Sequence, residues 1–321
     1  MTIYDIFNGD ADGICALHQL RLAHPAKSIL ITGVKRDISL LAQVQAEVGD
    51  QITVLDIAMS KNREALLLAL NRGAKVRYFD HHTPGDIPAH PQLSTFIDTC
   101  PNICTSLLVN NHLNGQFVIW AVVAAFGDNM HECAIHTSKT LQLNSGQLDA
   151  LRELGECINY NAYGESLQDL YFHPAELYQV IHHHRDPFTF INEEPVFETL
   201  KNGYIEDIAL AQKTKPEVES AGGSIYILPD APWSRRISGV FGNLLANRFP
   251  SKAHAILTKH TNGGFVVSVR APLTTRNGAD IVCEQFETGG GRKSAAGINR
   301  MEENQFGRFN QIFNTTFSHN A

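Results

Sequence analysis

The chain has 321 residues, 43% of them apolar and 18% charged, with a net charge of −7 at pH 7. That length suits two domains and that composition a buried core, which excludes a disordered or fibrous chain. The longest apolar run, FVIWAVVAAF, has ten residues, short of the roughly 20 of a membrane helix, and MTIYDIFNGD lacks the features of a secretion signal, so a cytoplasmic location is expected.

Charge is unevenly spread. Residues 222–321 carry 11 Lys and Arg against 6 Asp and Glu, whereas residues 1–221 carry 15 against 27. An acidic part beside a basic one suits a protein holding cations in one and an anionic ligand in the other. It suits equally two halves that attract each other. The balance excludes a generic binder of long DNA. The six cysteines (Cys15, Cys100, Cys104, Cys133, Cys157, Cys283) are scattered, and the lone pair in CPNIC is too little for a zinc site.

TIYDIF (2–7), SILITGV (28–34), QITVLDI (51–57) and KVRYF (75–79) are rich in β-branched or aromatic residues and predict strands. Between them, ADGICALHQLRLAH, DISLLAQVQAEV and NREALLLALNRG carry apolar residues at helical spacing, the last ending at Gly73 as a cap. The alternation predicts an α/β fold: a parallel sheet with flanking helices, whose ligands bind beyond the C-terminal strand ends. After STFIDT, helical patterns run through CTSLLVNNHLN, FVIWAVVAAFGDNM and residues 138–184. Residues 187–223, with Pro187, Pro195 and Pro216, read as a connector containing short helices. From Ser224 a smaller α+β unit is expected: strand SIYILPD, helix ISGVFGNLLANRF, a hairpin turning at Asn262-Gly263, helix ADIVCEQFE, then GGGRKSAAG. The expected division is 1–186, 187–223 and 224–321.

The acidic residues fall on the ends of these elements. Asp10 and Asp12 follow the first strand in NGDADG. One Asp is enough to cap the helix that begins there, and a second carboxylate adds repulsion unless a cation or donors offset it. Asp56 ends the third strand in VLDI, Asp80, His81 and His82 follow the fourth in YFDHH, and Asp128 ends the apolar helix in GDN. Singly, each has a structural reading as a cap, a turn residue or a half-buried histidine. Together, carboxylates at one sheet edge repel, and carboxylates with imidazoles suit Mn²⁺ or Mg²⁺. A pair of such ions activates water and clamps a phosphoryl group for in-line attack.

In this order NGDADG, the Asp of VLDI, DHH and GDN resemble the four motifs of the DHH phosphoesterase superfamily. GGGRKSAAG resembles the glycine-rich signature of the DHH-associated domain. The resemblance implies two Mn²⁺ ions, with Mg²⁺ as a substitute: one on Asp10 and Asp56, the other on Asp12, Asp56, His81 and Asp128. It implies that His82 acts beside the scissile phosphate, and Asp80 is expected to orient the His81 imidazole. Many family members have a His four residues before the first motif Asp; here that position is Ile6, which weakens the first ion site. Asn8 stands where the single-strand exonucleases of the superfamily have a further Asp, and His131 lies close enough after GDN to support the centre.

By itself GGGRKSAAG reads as a flexible turn or as a nest of backbone N–H groups that favours anions. Gly289, Gly290, Gly291 and Arg292, with Arg270 on the preceding hairpin, are candidate substrate-binding residues, and Lys293, Arg235 and Arg236 add positive charge. The resemblance implies that this loop faces the metal site across a cleft and grips the end of the substrate. Many relatives have His where Arg292 stands; Arg offers a planar fork to a phosphate or a guanine edge. His182, His183 and His184 point in different directions on a helix and cannot jointly chelate, so a solvated helix end is expected, with Trp120 in the core.

The expected function is that of a Mn²⁺-dependent phosphodiesterase hydrolysing short linear nucleotides, pGpG among them, to mononucleotides. Its expected partner is a short nucleotide, with neither long DNA nor a membrane, and a homodimer as an allowed assembly. The alternatives are a cyclic-dinucleotide phosphodiesterase, a 3′,5′-bisphosphate nucleotide phosphatase and a non-catalytic nucleotide sensor.

Overall fold

In the computed structural model, which describes residues 1–318, the β-branched runs form strands and most of the helical spacings form helices. β1 (Ile3–Phe7) leads through Asn8-Gly9-Asp10 into α1 (Ala11–Ala23). Then come β2 (Ile29–Ile31), β3 (Gln51–Leu55), α2 (Met59–Asn71), which stops just before Gly73, and β4 (Lys75–Asp80). β5 (Leu93–Ile97), for which the sequence carried no strand expectation, extends the sheet. The order is β2-β1-β3-β4-β5 and every pair is parallel. Strand order reverses at β1, so the edge beyond the C-terminal ends of β1 and β3 is the switch point where open sheets bind ligands.

DISLLAQVQAEV does not become the expected helix; only a 3₁₀ turn forms, at Leu40–Gln43. Asn62 on α2 takes the Leu41 N–H (3.2 Å) and donates to the Ile38 carbonyl (2.7 Å). Those backbone groups are thereby satisfied without a helix, while Leu40, Leu41 and Ala46 pack into the core with Val54, Leu66 and Tyr78.

The helices that follow are α3 (Thr105–His112), α4 (Val118–Gly127), α5 (His131–Ser138), α6 (Ser145–Asn161) and α7 (Pro174–His182). α4 packs against α1, α3, α5 and α6, and everything from Trp120 to Gly127 is buried, as expected of a helix that is apolar all round. Close approach explains Gly127: a Cβ there would lie 2.4 Å from the Ala11 Cβ and 2.7 Å from the Gly155 carbonyl oxygen. That contact brings Asp128, the next residue, to the start of α1.

The expected connector is largely helical. Pro187 and Pro195 stand at the first positions of α8 (Pro187–Glu193) and α9 (Pro195–Lys213), where proline's missing N–H costs nothing. The chain divides into two units inside α9, between Asn202 and Gly203.

The second unit contains β6 (Val218–Glu219), β7 (Gly223–Leu228), α10 (Pro232–Arg248), β8 (Ala253–Lys259), β9 (Phe265–Arg270) and α11 (Ala279–Cys283). β10 (Gly289–Arg292), β11 (Ala295–Met301) and α12 (Phe306–Phe317) complete it. Its sheet runs β10-β11-β9-β8-β7-β6; β7 and β8 are parallel, joined by α10, and the other pairs are antiparallel. Phe309, Phe313 and Phe317, four apart on α12, bury one helix face against Val267 and Val269. Among the described residues, no helix is long and apolar enough to cross a membrane.

Candidate metal centre

The parallel β1, β3 and β4 end at one edge, and each delivers an acidic residue there. Asp10 caps α1: its Oδ1 accepts from the N–H groups of Asp12 (3.1 Å) and Gly13 (3.0 Å). Gly13 is required by the tightness of this turn, since a Cβ would lie 2.2 Å from the Asn8 carbonyl oxygen. Asp12 is held differently. Its two oxygens accept the Thr105 and Ser106 N–H groups, each at 2.7 Å, so it stands at the positive start of α3.

Asp56 follows β3 in the left-handed conformation, with φ +60°. A non-glycine residue there is strained and persists only where its surroundings over-determine it. Here its N–H donates to the Phe79 carbonyl (3.0 Å) and its Oδ1 accepts the Thr105 hydroxyl (3.0 Å).

β4 delivers the Asp-His-His triplet. The His81 Nδ1 lies 3.0 Å from the Ile103 carbonyl, a contact that requires a proton on Nδ1 and leaves the Nε2 lone pair 3.5 Å from Asp56 Oδ1. The Ile103 carbonyl therefore orients the His81 ring, not Asp80 as expected. Asp80 serves the neighbouring histidine: its Oδ1 pairs with the His82 Nδ1 (2.7 Å) and accepts the His81 backbone N–H (2.9 Å). Asp80 is fully buried while the His82 side chain is 37% exposed.

Among the described residues, two sets of three side chains each have their ligand atoms within 4.8 Å of one another inside the set: Asp12, His81 and Asp128, and Asp56, His81 and His82. Burial pushes the Asp56 carboxyl well above the ordinary range, and Asp12, Asp10, Asp128 and Asp80 around it push the same way. Burial also raises Asp12, against the pull of His81. Asp80 Oδ2 and Asp128 Oδ2 are buried with no hydrogen-bond partner. Crowded carboxylates, two orphaned oxygens and an imidazole with a lone pair aimed inward are a donor set that fits Mn²⁺ or Mg²⁺.

Lys35, in the loop after β2, escaped the sequence reading. Its Nζ pairs with Asp10 Oδ2, lies 3.6 Å from Asp128 Oδ1 and donates to Asn159 Oδ1 (3.2 Å). Burial alone raises the Asp10 carboxyl, but Lys35 and the backbone donors outweigh it and leave Asp10 below the ordinary carboxylate range. Lone lysines are common in loops, so VKRD carried no signal; Thr105 and Ser106 offered only a helix start.

Other candidates lie apart from the cluster. Asn8 organises the loop, accepting the Asp10 N–H (3.3 Å) and donating to the Lys35 carbonyl (3.5 Å). Ile6 is fully buried among apolar residues. The His131 Nε2 meets Asn129 Oδ1 at 3.0 Å rather than any of the clustered ligands. His182 stacks on Tyr178 beside His18, and His184 meets Glu194, so these two diverge; both are partly buried rather than the solvated helix end expected, while His183 is exposed. Trp120 is core, its Nε1 donating to the Arg185 carbonyl (2.9 Å).

In the second unit the glycine-rich segment is neither a flexible turn nor a nest. Gly289, Gly290, Gly291 and Arg292 form edge strand β10, paired antiparallel with β11, so their N–H groups alternate in direction and do not converge on one anion. Arg292 and Lys293 are exposed at its tip. Arg270 clamps β9 to α10, donating to Asn243 Oδ1 (2.6 Å), Ser268 Oγ (3.0 Å) and the Gly239 carbonyl (3.3 Å). Arg235 pairs with Asp230, and Arg236 with Asp207 at 2.9 Å.

No protein-family model matches the chain, and no curated protein matches its sequence. Solved structures do. The manganese-bound exonuclease RecJ superposes with a TM-score of 0.60 over 99% of this chain and 90% of its own, at 15% identity. RecJ of Thermus thermophilus in complex with Mn²⁺ gives 0.59 at 14% identity, with this chain spanning 52% of its length. The pGpG-specific phosphodiesterase PggH from Vibrio cholerae gives 0.58 at 12% identity and matches over 100% of both chains. At such identities the likeness is one of fold, and it covers both units. The α/β sheet carrying Asp10, Asp56 and the Asp80-His81-His82 triplet, followed by a second mixed-sheet unit, is the fold of the DHH-type phosphoesterases that the sequence motifs resemble.

Proposed function

We propose that this chain is a Mn²⁺-dependent phosphodiesterase that hydrolyses short linear nucleotides, 5′-phosphorylated dinucleotides of the pGpG kind foremost, to mononucleotides. The observation that carries this reading is the convergence beyond the switch point of the sheet of Asp12, His81 and Asp128, whose ligand atoms are close enough to share an ion, with Asp56 Oδ1 3.5 Å from His81 Nε2 beside them. A divalent ion held there lowers the pKa of water and offsets the charge that builds on a phosphoryl group.

The chain's own residues supply the rest. Ile103 fixes the His81 tautomer, and Thr105 and Ser106 fix the carboxylates of Asp56 and Asp12. Asp80 holds the His82 ring by Nδ1, which fixes this part-exposed imidazole close to His81 and Asp56, in position to act on a phosphate oxygen of the substrate. Arg292, exposed at the end of β10, is the candidate for gripping a terminal phosphate, because a guanidinium matches two phosphate oxygens at once. PggH, which shares this fold over 100% of both chains, is a pGpG-specific phosphodiesterase, and a short linear substrate is the reading taken from it.

The test is incubation of the purified chain and Mn²⁺ with mononucleotide bisphosphates, linear dinucleotides with and without a 5′-phosphate, cyclic dinucleotides and 20-mers. Fastest turnover of the 5′-phosphorylated dinucleotide, abolished by excess EDTA, is expected. Turnover undiminished in EDTA refutes the metal reading, and preference for the cyclic compound, the bisphosphate or the 20-mer refutes the substrate.

A further inference from the structure

Two features of the centre bear on how many ions it holds. The two ligand sets both depend on His81, and His81 has one lone pair to give because its Nδ1 proton is committed to the Ile103 carbonyl. One imidazole nitrogen binds one ion, so the two sets cannot both be complete. Asp10 belongs to neither set. Its Oδ1 accepts two backbone N–H groups and its Oδ2 pairs with Lys35. β1 adds no ligand from its end, where Ile6 and Phe7 are apolar and fully buried.

Lys35 is built into this place. Its N–H donates to the Ala162 carbonyl (2.8 Å), and its own carbonyl accepts from the Asn8 side chain (3.5 Å). The ammonium then lies among Asp10, Asp128 and Asn159, 5.6 Å from the centre of the Tyr163 ring, with its side chain 26% exposed. Groups from α1, the end of α4 and α6 thus converge on one charged nitrogen. A fixed positive charge between two of the clustered carboxylates does part of what a second ion would do, and it repels one.

We propose that the ε-ammonium of Lys35 takes the place of a second metal ion: the centre holds one tightly bound divalent cation, on Asp12, Asp128 and His81 beside Asp56, and Lys35 supplies the other positive charge from the Asp10 side. The proposal rests on the metal-dependent reading above and concerns the number of ions and the residue that sets it.

The experiment titrates Mn²⁺ into the full-length chain and counts bound ions from the loss of the free-Mn²⁺ electron paramagnetic resonance signal, with a spectrum of the loaded protein. The same is done for Lys35→Met and Lys35→Gln, whose folding is checked by circular dichroism. The wild type is expected to bind one ion tightly and to give the spectrum of an isolated Mn²⁺. With the ammonium gone and Asp10 Oδ2 released, both variants are expected to bind a second ion at least about tenfold more tightly than the wild type does, the size of effect typical of groups around a metal ligand. The loaded variants should show the spectrum of a coupled pair. Two tight, coupled ions in the wild type overturn the proposal, as do folded variants that still bind only one. If the variants fail to fold, the wild-type count and spectrum decide it. No tight ion in the wild type refutes the metal-dependent function itself, which is a different result from either count.

Discussion

Thr105→Val isolates one hydrogen bond of the centre. The Thr105 hydroxyl donates to Asp56 Oδ1 at 3.0 Å with both residues buried, while the Thr105 backbone N–H separately serves Asp12. Valine keeps the β-branched shape and the N–H and removes only the hydroxyl. A hydrogen bond to a charged group contributes about 1.5–3 kcal/mol. The Asp56 carboxyl is already pushed up by burial and by the carboxylates around it, so losing a donor makes its proton harder still to remove. A metal ligand must give up that proton, and at about 1.4 kcal/mol per tenfold the loss corresponds to roughly 10–100-fold in Mn²⁺ affinity. Calorimetric titration of Mn²⁺ into wild type, Thr105→Val and Thr105→Ser measures it. Serine keeps the hydroxyl and should bind close to wild type, whereas valine should be weaker by that factor. Equal affinity for valine and wild type, or a serine variant as weak as valine, would refute the claim that this hydroxyl steers Asp56.

Three further outcomes are expected. Arg292→Ala should raise KM for a 5′-phosphorylated dinucleotide by about 10–100-fold with a smaller change in kcat and leave the unphosphorylated dinucleotide nearly unaffected, since uniform binding acts on KM; equal losses on both substrates would remove Arg292 from phosphate binding. His18, buried beside His182, has its pKa pushed down to about 3 chiefly by burial. The unfolded chain therefore binds the extra proton between about pH 6.5 and 3, and stability falls as pH drops through that window, by up to about 4–5 kcal/mol at its lower end. In urea unfolding, His18→Gln should flatten the acid limb; an unchanged limb would show that His18 does not set it. Gly127→Ala places a methyl 2.4 Å from the Ala11 Cβ, which should cost about 1–3 kcal/mol in the same assay and weaken Mn²⁺ binding through Asp128; an unchanged urea midpoint would show that α4 has room there.

The parallel sheet and most of its helices were legible in the sequence because strand and helix periodicity are local: each is written within a dozen residues, and the predicted strands are rich in β-branched or aromatic residues. Asp10, Asp12, Asp56, Asp80, His81, His82 and Asp128 were legible for a related reason. A parallel sheet sends every strand's C-terminal end to one edge, so strand assignment gathers all of these but Asp128, which the apolar helix α4 brings back to that edge. Expectations failed where distant groups decide. Asn62 and the apolar core replace a helix at 37–48 with a 3₁₀ turn, and β11 draws the three glycines into an edge strand instead of a nest. The His81 ring is set by a carbonyl 22 residues on, Asp12 by the start of α3, and Asp10 by Lys35, itself anchored to Asn159. An isolated lysine in a loop has no periodicity and no local partner, so its charge acquires a place only when α1, α4 and α6 close around it. The sequence by itself thus determined which carboxylates and imidazoles meet. The tertiary structure decided which of their oxygens and nitrogens stay available for a cation, because hydrogen bonds from elsewhere in the chain use up the others.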